Sequence, residues 1–325
     1  MTGHEPTIWQ ISGGPSSRTY ADVFITYGVG LIGPGDAGPW SAQRSDADFV
    51  DEQGASGGFV RRFASEMEIG DVVLLRTGIT TIAAVGIVAS EYMYLDQFDD
   101  VNGWDLQHSR RIRWCKLPQE YDFGSSVFGA NPSRCSRAFN TDVTDYAKRF
   151  VNSPPTVWKQ TLLPELPAGE QELQEIPRYL QAIVGELHDI YPMLMDSERF
   201  GELPTEDELV AHFVIPLLRA FGWPSERIAV KWRHIDVAVF DALPRIPEHC
   251  RFVIEAKRLG SGVEGALKQA KGYVRSQDIA CDIIVTDGIR YRMYAAKNDY
   301  EPCAYANLVR LKTPALRLFE IMKRT

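Results

Sequence analysis

The sequence predicts a two-domain chain of mixed class, an α+β N-terminal part rich in strands and an α/β C-terminal part. Three observations point there. At 325 residues the chain exceeds one typical domain and can bury more than one core. Over residues 1–152, short strand-like runs are separated by glycine- and proline-rich turns. From residue 203 onward, helical patterns alternate with short runs of β-branched and aromatic residues. With 45% hydrophobic and 24% charged residues, the composition is that of an ordinary globular protein and not of a disordered one.

The first strand is Ile8-Trp9-Gln10-Ile11, and the turn Ser12 to Ser17 follows it. Tyr20 to Tyr27 suits a short helix and Val29 to Ile32 a second strand. A glycine- and proline-rich loop, Gly33 to Pro39, ends in Trp40. Phe59 to Met67 has helical spacing, Gly70-Asp71 turns, and Val72 to Arg76 pairs with Ala83 to Val88 as a hairpin. The stretch Phe98 to His108 carries Trp104, and the strand Arg110 to Trp114 closes the set. Trp9 and Trp114, on apolar strands, are expected in the core. His108, Arg110, Arg111 and Arg113 form a basic cluster on an acidic protein. Arg111 and Arg113 share a strand face, which suits a phosphate backbone; a solvated face is the plain alternative.

Loop signals at Ser153 to Thr156 and at Leu163 to Gly169 separate the two parts. Glu170 to Leu194 then reads as an amphipathic helix, with Leu173, Ile176, Leu180, Ile183, Val184, Leu187 and Ile190 at three- and four-residue steps. The expected division is residues 1–152, a linker and helix over 153–202, and residues 203–325. The helix is expected to pack on the C-terminal core. The alternative is a helix that joins two copies of the chain as a homodimer.

The C-terminal part carries the chemistry. Leu203 to Val210 opens a helix with a cap and an acidic first turn, and Val210, Phe213, Val214, Leu217 and Phe221 continue it to Gly222-Trp223-Pro224. Pro216 inside it should produce a kink. At about 100° per residue, Glu206 falls on the apolar stripe, whereas Glu208 points about 160° away toward solvent. Ile235 to Phe240 and Val253 to Lys257 then read as buried strands that carry charge, with Asp236 and Glu255 19 positions apart. Glu255 and Lys257 share one face of their strand. If the strand of Asp236 pairs beside them, two carboxylates and one ammonium converge, and a buried set of that kind is normally paired or bound to a metal. Carboxylate oxygens suit Mg²⁺ or Mn²⁺, which lowers the pKa of a bound water for phosphodiester hydrolysis. The plain alternative is two unrelated strands with charges at exposed ends. Gly265 to Tyr273 reads as a further helix with Gln269 and Tyr273 one turn apart, and Ile283 to Gly288 with Tyr291 to Ala295 as a hairpin.

Helix with glutamate, strand with aspartate, strand with Glu-Ala-Lys and helix with Gln-x-x-x-Tyr, in this order over residues 203–295, resemble the PD-(D/E)xK nuclease superfamily. The resemblance is to the branch found in restriction subunits. It implies a restriction-endonuclease-like α/β sheet domain with Asp236 and Glu255 as metal ligands, helped by the Ala256 carbonyl. It also implies Lys257 as the catalytic lysine, Glu206 as the helix acid, and Gln269 with Tyr273 as an accessory pair. Ile235 stands where the family's name-giving proline would be.

The strand and turn order over residues 7–150, with its tryptophans, resembles the PUA-like group that includes EVE and YTH domains, which implies an N-terminal β-barrel. Relatives hold one modified or flipped base in an aromatic pocket. Here the corresponding loops carry Trp40 and Trp104, and Ser12 after the first strand would bond the base edge. Many relatives place a tryptophan directly after the second strand, where this chain has Pro34.

A base reader joined to a phosphodiesterase resembles a modification-dependent (type IV) restriction enzyme, a Mg²⁺-dependent endonuclease that defends against foreign DNA carrying a modified base. An RNA-directed nuclease is the alternative within the same chemistry, and a non-cleaving nucleic-acid sensor the alternative outside it. The net charge of −8 argues against non-specific coating of nucleic acid. No Gly-x-x-x-x-Gly-Lys-Ser/Thr motif occurs, so this chain carries no ATP site of that type. No apolar run approaches the roughly 20 residues of a membrane span. Residues Met1 to Pro6 lack the basic and apolar regions of a signal peptide. Five widely spaced cysteines without Cys-x-x-Cys suit reduced thiols, so a cytoplasmic location is expected.

Overall fold

The computed structural model describes residues 5–14, 19–35, 37–49, 57–101, 103–130, 132–153, 162–194, 204–259 and 266–324. The turn at Pro15 to Ser17, the loop at Pro154 to Thr156, and the expected helix starts at Leu203 and Gly265 lie outside these residues. The chain divides into two compact units, Met1–Gly169 and Glu170–Thr325. The helix expected within the linker therefore belongs to the second unit.

In the first unit, β1 (Ile8–Ser12), α1 (Ala21–Tyr27) and β2 (Val29–Ile32) lead to α2 (Gly58–Arg61), which widens into a π-turn over Arg62–Glu66. Gly28 ends α1 in the left-handed region, φ 59°, and its N–H closes on the Phe24 and Ile25 carbonyls, so the chain turns straight into β2. The hairpin of β3 (Val72–Arg76) and β4 (Thr81–Val88) follows, then β5 (Met93–Tyr94), β6 (His108–Asp122), β7 (Cys135–Arg137) and α3 (Thr141–Asn152). The seven strands form one sheet, β2-β6-β4-β3-β1-β7, with β5 also on β6. Only β1 and β3 pair in parallel; the other pairs are antiparallel.

The expected barrel is corrected to an open path among the described residues, ending at β2 and at the three-residue β7. The 15-residue β6 makes the curl, since it serves β2 and β5 with His108 to Arg111 and β4 with the rest. Both faces of β1 and β3 are covered, which explains why their sequences do not alternate with polar residues. Trp9, Ile11, Val73 and Leu75 meet Phe24 of α1, Phe59 of α2 and Phe63 of the π-turn, whereas Ile8, Val72 and Leu74 meet Val143 and Ala147 of α3. Trp9 is fully buried and donates its indole N–H to Asp71 Oδ2 at 2.7 Å.

The second unit starts with α4 (Arg178–Leu194). Its expected first turns are corrected: Pro177 disfavours helix before it, and the segment ahead runs extended, with Leu173 N–H on the Leu311 carbonyl. Next come α5 (Glu206–Leu209), a π-turn over Val210–Val214, and α6 (Ile215–Ala220). Pro216 sits in the first turn of α6, so the widened turn ahead of it absorbs the missing N–H and the expected kink. Six strands follow, β8 (Ile228–Trp232), β9 (Ile235–Phe240), β10 (Cys250–Ala256), β11 (Asp282–Thr286), β12 (Arg290–Ala295) and β13 (Glu301–Asn307), with α7 (Leu267–Ser276) between β10 and β11 and α8 (Ala315–Met322) at the end.

The sheet order is β13-β12-β11-β10-β9-β8, and only β10 and β11 run parallel, with α7 between them in the chain as the crossover that parallel neighbours need. One face, with Val237, Val239, Phe252, Ile254 and Ile284, packs on α4, α5, α6 and α8. The other, with Ala238, Phe240, Val253, Ile283 and Val285, packs on Ala270 and Val274 of α7. Asp236 and Glu255 continue this second set by period two, so the two carboxylates occupy positions that would otherwise be apolar. All five cysteines are free thiols. Among the described residues no helix is long and apolar enough to cross a membrane.

Candidate active site

The site forms where β10 leaves the sheet beside β9. Asp236, 6% exposed, accepts from the Ala256 backbone N–H at 2.8 Å through Oδ2 and from the Lys231 ammonium at 2.8 Å through Oδ1. Glu255, 2% exposed, accepts from Lys257 Nζ at 3.1 Å through Oε1. Its Oε2 is buried with no hydrogen-bond partner among the described residues. Burial, and then the Asp236 carboxylate, push the Glu255 carboxyl up to about 7 against the pull of Lys257. The chemistry of this corner is thus short of positive charge. Lys257 Nζ also lies 3.9 Å from Glu206 Oε1, which brings the first turn of α5 to the end of β10.

Glu208 does something different. It completes a capping box, accepting from the Thr205 N–H at 2.8 Å while Thr205 Oγ1 accepts from its own N–H at 3.2 Å. The Thr205 backbone holds its carboxyl below the usual range. Gln269 Nε2 donates to the Tyr273 hydroxyl at 3.0 Å, while Lys257 Nζ bonds Glu255 and pairs at longer range with Glu206. Gln269 and Tyr273 thus bond each other, and Gln269 is exposed.

Two residues of this corner escaped the reading of the sequence. Lys231 bridges Asp236 and Asp207, 2.8 Å from each, and hydrogen bonds to Asp207 and then Asp236 hold its ammonium above the usual lysine range. Asp207 lies in the acidic first turn of α5, and Lys231 precedes a turn that its own residues do not signal. Trp232 pairs with Ile235, so Arg233 and His234 form a two-residue turn; the register skips Lys231 and Asp236, which meet through their side chains. Lys231, Arg233 and His234 all have positive φ, of 52°, 52° and 72°. Each costs roughly 1–2 kcal/mol for a residue with a side chain.

A divalent cation is tested against this donor set. Among the described residues no three His, Cys, Asp or Glu side chains group as a metal site. Mg²⁺ does not require one, since it keeps several waters and is held by one or two carboxylates together with phosphate oxygens. Two buried carboxylates, one with an unbonded oxygen, fit that demand.

In the first unit, Trp104 is half-buried beside Tyr20, with ring centroids 6.2 Å apart, and the Arg134 guanidinium lies 5.8 Å from its ring. Ser12 belongs to the same corner, because its N–H donates to the Arg134 carbonyl at 2.9 Å. Its hydroxyl accepts from the Gly14 N–H at 3.2 Å. Trp40 faces a different ring, the edge of Tyr92 at 6.5 Å. Its N–H donates to the Tyr92 hydroxyl at 2.9 Å, which meets His108 Nδ1 at 2.8 Å, and His108 Nε2 meets the Pro34 carbonyl at 2.9 Å.

The expected basic cluster is divided, because β6 is a central strand. His108 and Arg110 are buried, and Arg110 donates to the carbonyls of Phe63, Ala64 and Ser90 at 2.7, 2.9 and 3.0 Å. Arg111 is half-buried and donates to the Gly28, Tyr27 and Pro164 carbonyls. Arg113 is exposed.

Residues 9–131 match a domain of unknown function (DUF8426). Comparison with curated proteins gives no match. Among solved structures, the chain is similar to a fragment described as the HsdR subunit of a type I restriction enzyme from Vibrio vulnificus YJ016, at 20% identity and a TM-score of 0.26. The similarity covers 37% of this chain and 25% of that one, so the chain spans about a quarter of that structure's length.

Proposed function

We propose that the second unit hydrolyses phosphodiester bonds with a divalent cation, and that the chain is a modification-dependent DNA endonuclease of the type IV restriction kind. The observation that carries this reading is the convergence of Asp236, Glu255, Lys257 and Glu206 at the end of one buried strand. Asp236 and Glu255, with the Ala256 carbonyl, would hold Mg²⁺ or Mn²⁺. When bound, that ion supplies Lewis acidity toward a phosphate oxygen and makes a water nucleophilic near neutral pH.

The chain's own groups do the rest. The Ala256 N–H fixes the direction of Asp236, so one carboxylate is aligned before any ligand arrives. Lys257, gripped by Glu255 and steadied by Glu206, presents an ammonium where a phosphate gains negative charge during displacement. Glu206 acts on Lys257 and is a positioning residue in this scheme.

In the first unit, Trp104 with Tyr20 and Arg134 would receive an unstacked base, with Ser12 at its edge and Trp40 on the neighbouring loop. Arg113, exposed where Arg111 is half-buried, is the candidate for the phosphate backbone. The test is cleavage of modified and unmodified DNA by the full chain with Mg²⁺ or Mn²⁺. Asp236→Ala and Glu255→Ala should each abolish cleavage while DNA binding survives, and Lys257→Ala should stop cleavage with metal binding largely intact. Undiminished cutting in EDTA, or by Asp236→Ala, would sink the assignment.

A further inference from the structure

Lys231 stands on one of the two oxygens that a cation at Asp236 would use. Its ammonium is 2.8 Å from Asp236 Oδ1 and 2.8 Å from Asp207 Oδ1. The residue gets there at a backbone cost. The β8–β9 register runs from Val230 opposite Val237 to Trp232 opposite Ile235 and skips Lys231, whose φ is 52°. Side chains rarely accept that conformation unless the surroundings impose it, and such residues concentrate at functional sites. The other oxygen of Asp236 is independently fixed by the Ala256 N–H.

We propose that Lys231 is an internal counter-cation for Asp236: it holds Oδ1 while no divalent ion is bound and hands it over when one binds. This rests on the reading of Asp236 and Glu255 as metal ligands. Asp207 makes the hand-over cheap. Its carboxylate is largely exposed and already shares the ammonium, so Lys231 can leave Asp236 without losing its partner. Lys231 therefore sets how tightly the metal binds, and the Ala256 N–H sets where Asp236 points. Lys231 is a positioning residue and touches no reacting atom.

The experiment is Mn²⁺ binding to the full chain without nucleic acid, followed by titration calorimetry and by the electron paramagnetic resonance of free Mn²⁺. Lys231→Met should bind Mn²⁺ more tightly, by about fivefold or more, because the competition between lysine and metal for one oxygen is a reciprocal coupling. Lys231→Arg should stay within about twofold of wild type, since it keeps the charge. Asp207→Asn leaves Lys231 with Asp236 alone and should weaken Mn²⁺ binding. That loss should vanish when Asp207→Asn is made in the Lys231→Met background. Without metal, Lys231→Met should melt at a lower temperature than wild type and regain the difference in Mn²⁺. Lys231→Met binding no tighter than wild type would overturn the proposal, as would an equal loss from Asp207→Asn in both backgrounds. If Lys231→Met does not fold, Asp207→Asn decides alone: affinity at or above wild type overturns the hand-over. Asp236→Ala binding Mn²⁺ as wild type does would instead remove the metal reading beneath it.

Discussion

Glu206 and Glu208 lie two positions apart in one short helix, and the helical turn assigns them opposite work. Glu206 meets Lys257 at the end of β10, whereas Glu208 closes a cap on Thr205. Glu206→Gln should lower the cleavage rate by roughly tenfold or more, because a lysine misplaced by a fraction of an ångström loses its transition-state contact. Glu208→Gln should leave the rate within about twofold, since glutamine serves the same capping position. A cleavage assay that ranks them in reverse would show that α5 faces the site differently. His108 gives a second test at this scale. The Pro34 carbonyl can only accept, so His108 donates through Nε2 and offers Nδ1 to the Tyr92 hydroxyl, which fixes a neutral ring. Burial pushes its pKa down to about 4 from the ordinary 6.5. The folded state then binds fewer protons than the unfolded one between those values, so this contribution is complete above about pH 6.5 and is lost as pH falls toward 4. The loss amounts to roughly 3 kcal/mol. Urea unfolding of His108→Gln across that range should show a flatter pH dependence than wild type, and parallel curves would refute the neutral-ring account.

The turn between β8 and β9 carries strain that a single substitution pair can release. Arg233 and His234 both hold positive φ in a two-residue hairpin, where asparagine and glycine are the favoured pair. Replacing them with Asn-Gly should stabilise the unit by about 1 kcal/mol, since the relief is offset by loss of the Arg233 guanidinium from the Trp232 ring, 4.8 Å away. A lower melting temperature would mean that the arginine contact outweighs the strain. The same hairpin shows what the sequence could and could not reveal. Asp236, Glu255 and Lys257 were legible because charge in an apolar run is an anomaly that survives any choice of register. The helix with Glu206 was legible from its cap and its period. Lys231 was not, because its role depends on a left-handed bend that Lys-Trp-Arg-His does not announce. The far half of β6 and the short β7 were hidden for a related reason. Lys116 to Asp122 is polar and holds Pro118, so it reads as loop, yet it pairs with β4 across the register from Ala84–Lys116 to Thr81–Asp122. The burial of His108 and Arg110 was equally hidden, since a basic run looks solvated until its strand is known to be central.

Across the whole molecule, the two units offer separable chemistry, and recognition is the part with most to test. A chain with a net charge of −8 gains little from general attraction to phosphate, so the proposed reading places specificity in a local pocket. Around Trp104, an indole, the Tyr20 ring and the Arg134 guanidinium lie within about one base's reach of one another. In the full chain carrying Asp236→Ala, where cleavage is removed, DNA with a modified base should bind more tightly than the unmodified duplex. Trp104→Ala in that background should erase the difference, since a stacked base is worth roughly 1–3 kcal/mol, and leave a weak binding that falls as salt rises. Trp9→Ala is the contrast, because its indole is fully buried and its removal should cost about 3–5 kcal/mol of stability. Trp40 separates two pictures of the loop after β2. It is tied through its backbone N–H to Tyr92, so Trp40→Ala keeps that bond and removes only the ring. Loss of the modification preference in Trp40→Ala would place its ring over the base, and an unchanged preference would assign the ring to packing against Tyr92 alone. Equal affinity of the parent protein for modified and unmodified duplexes would remove the reader and leave the nuclease standing. A preference for RNA over every duplex would keep the pocket and change its substrate, because an aromatic platform stacks any base and only contacts to the sugar tell the two polymers apart.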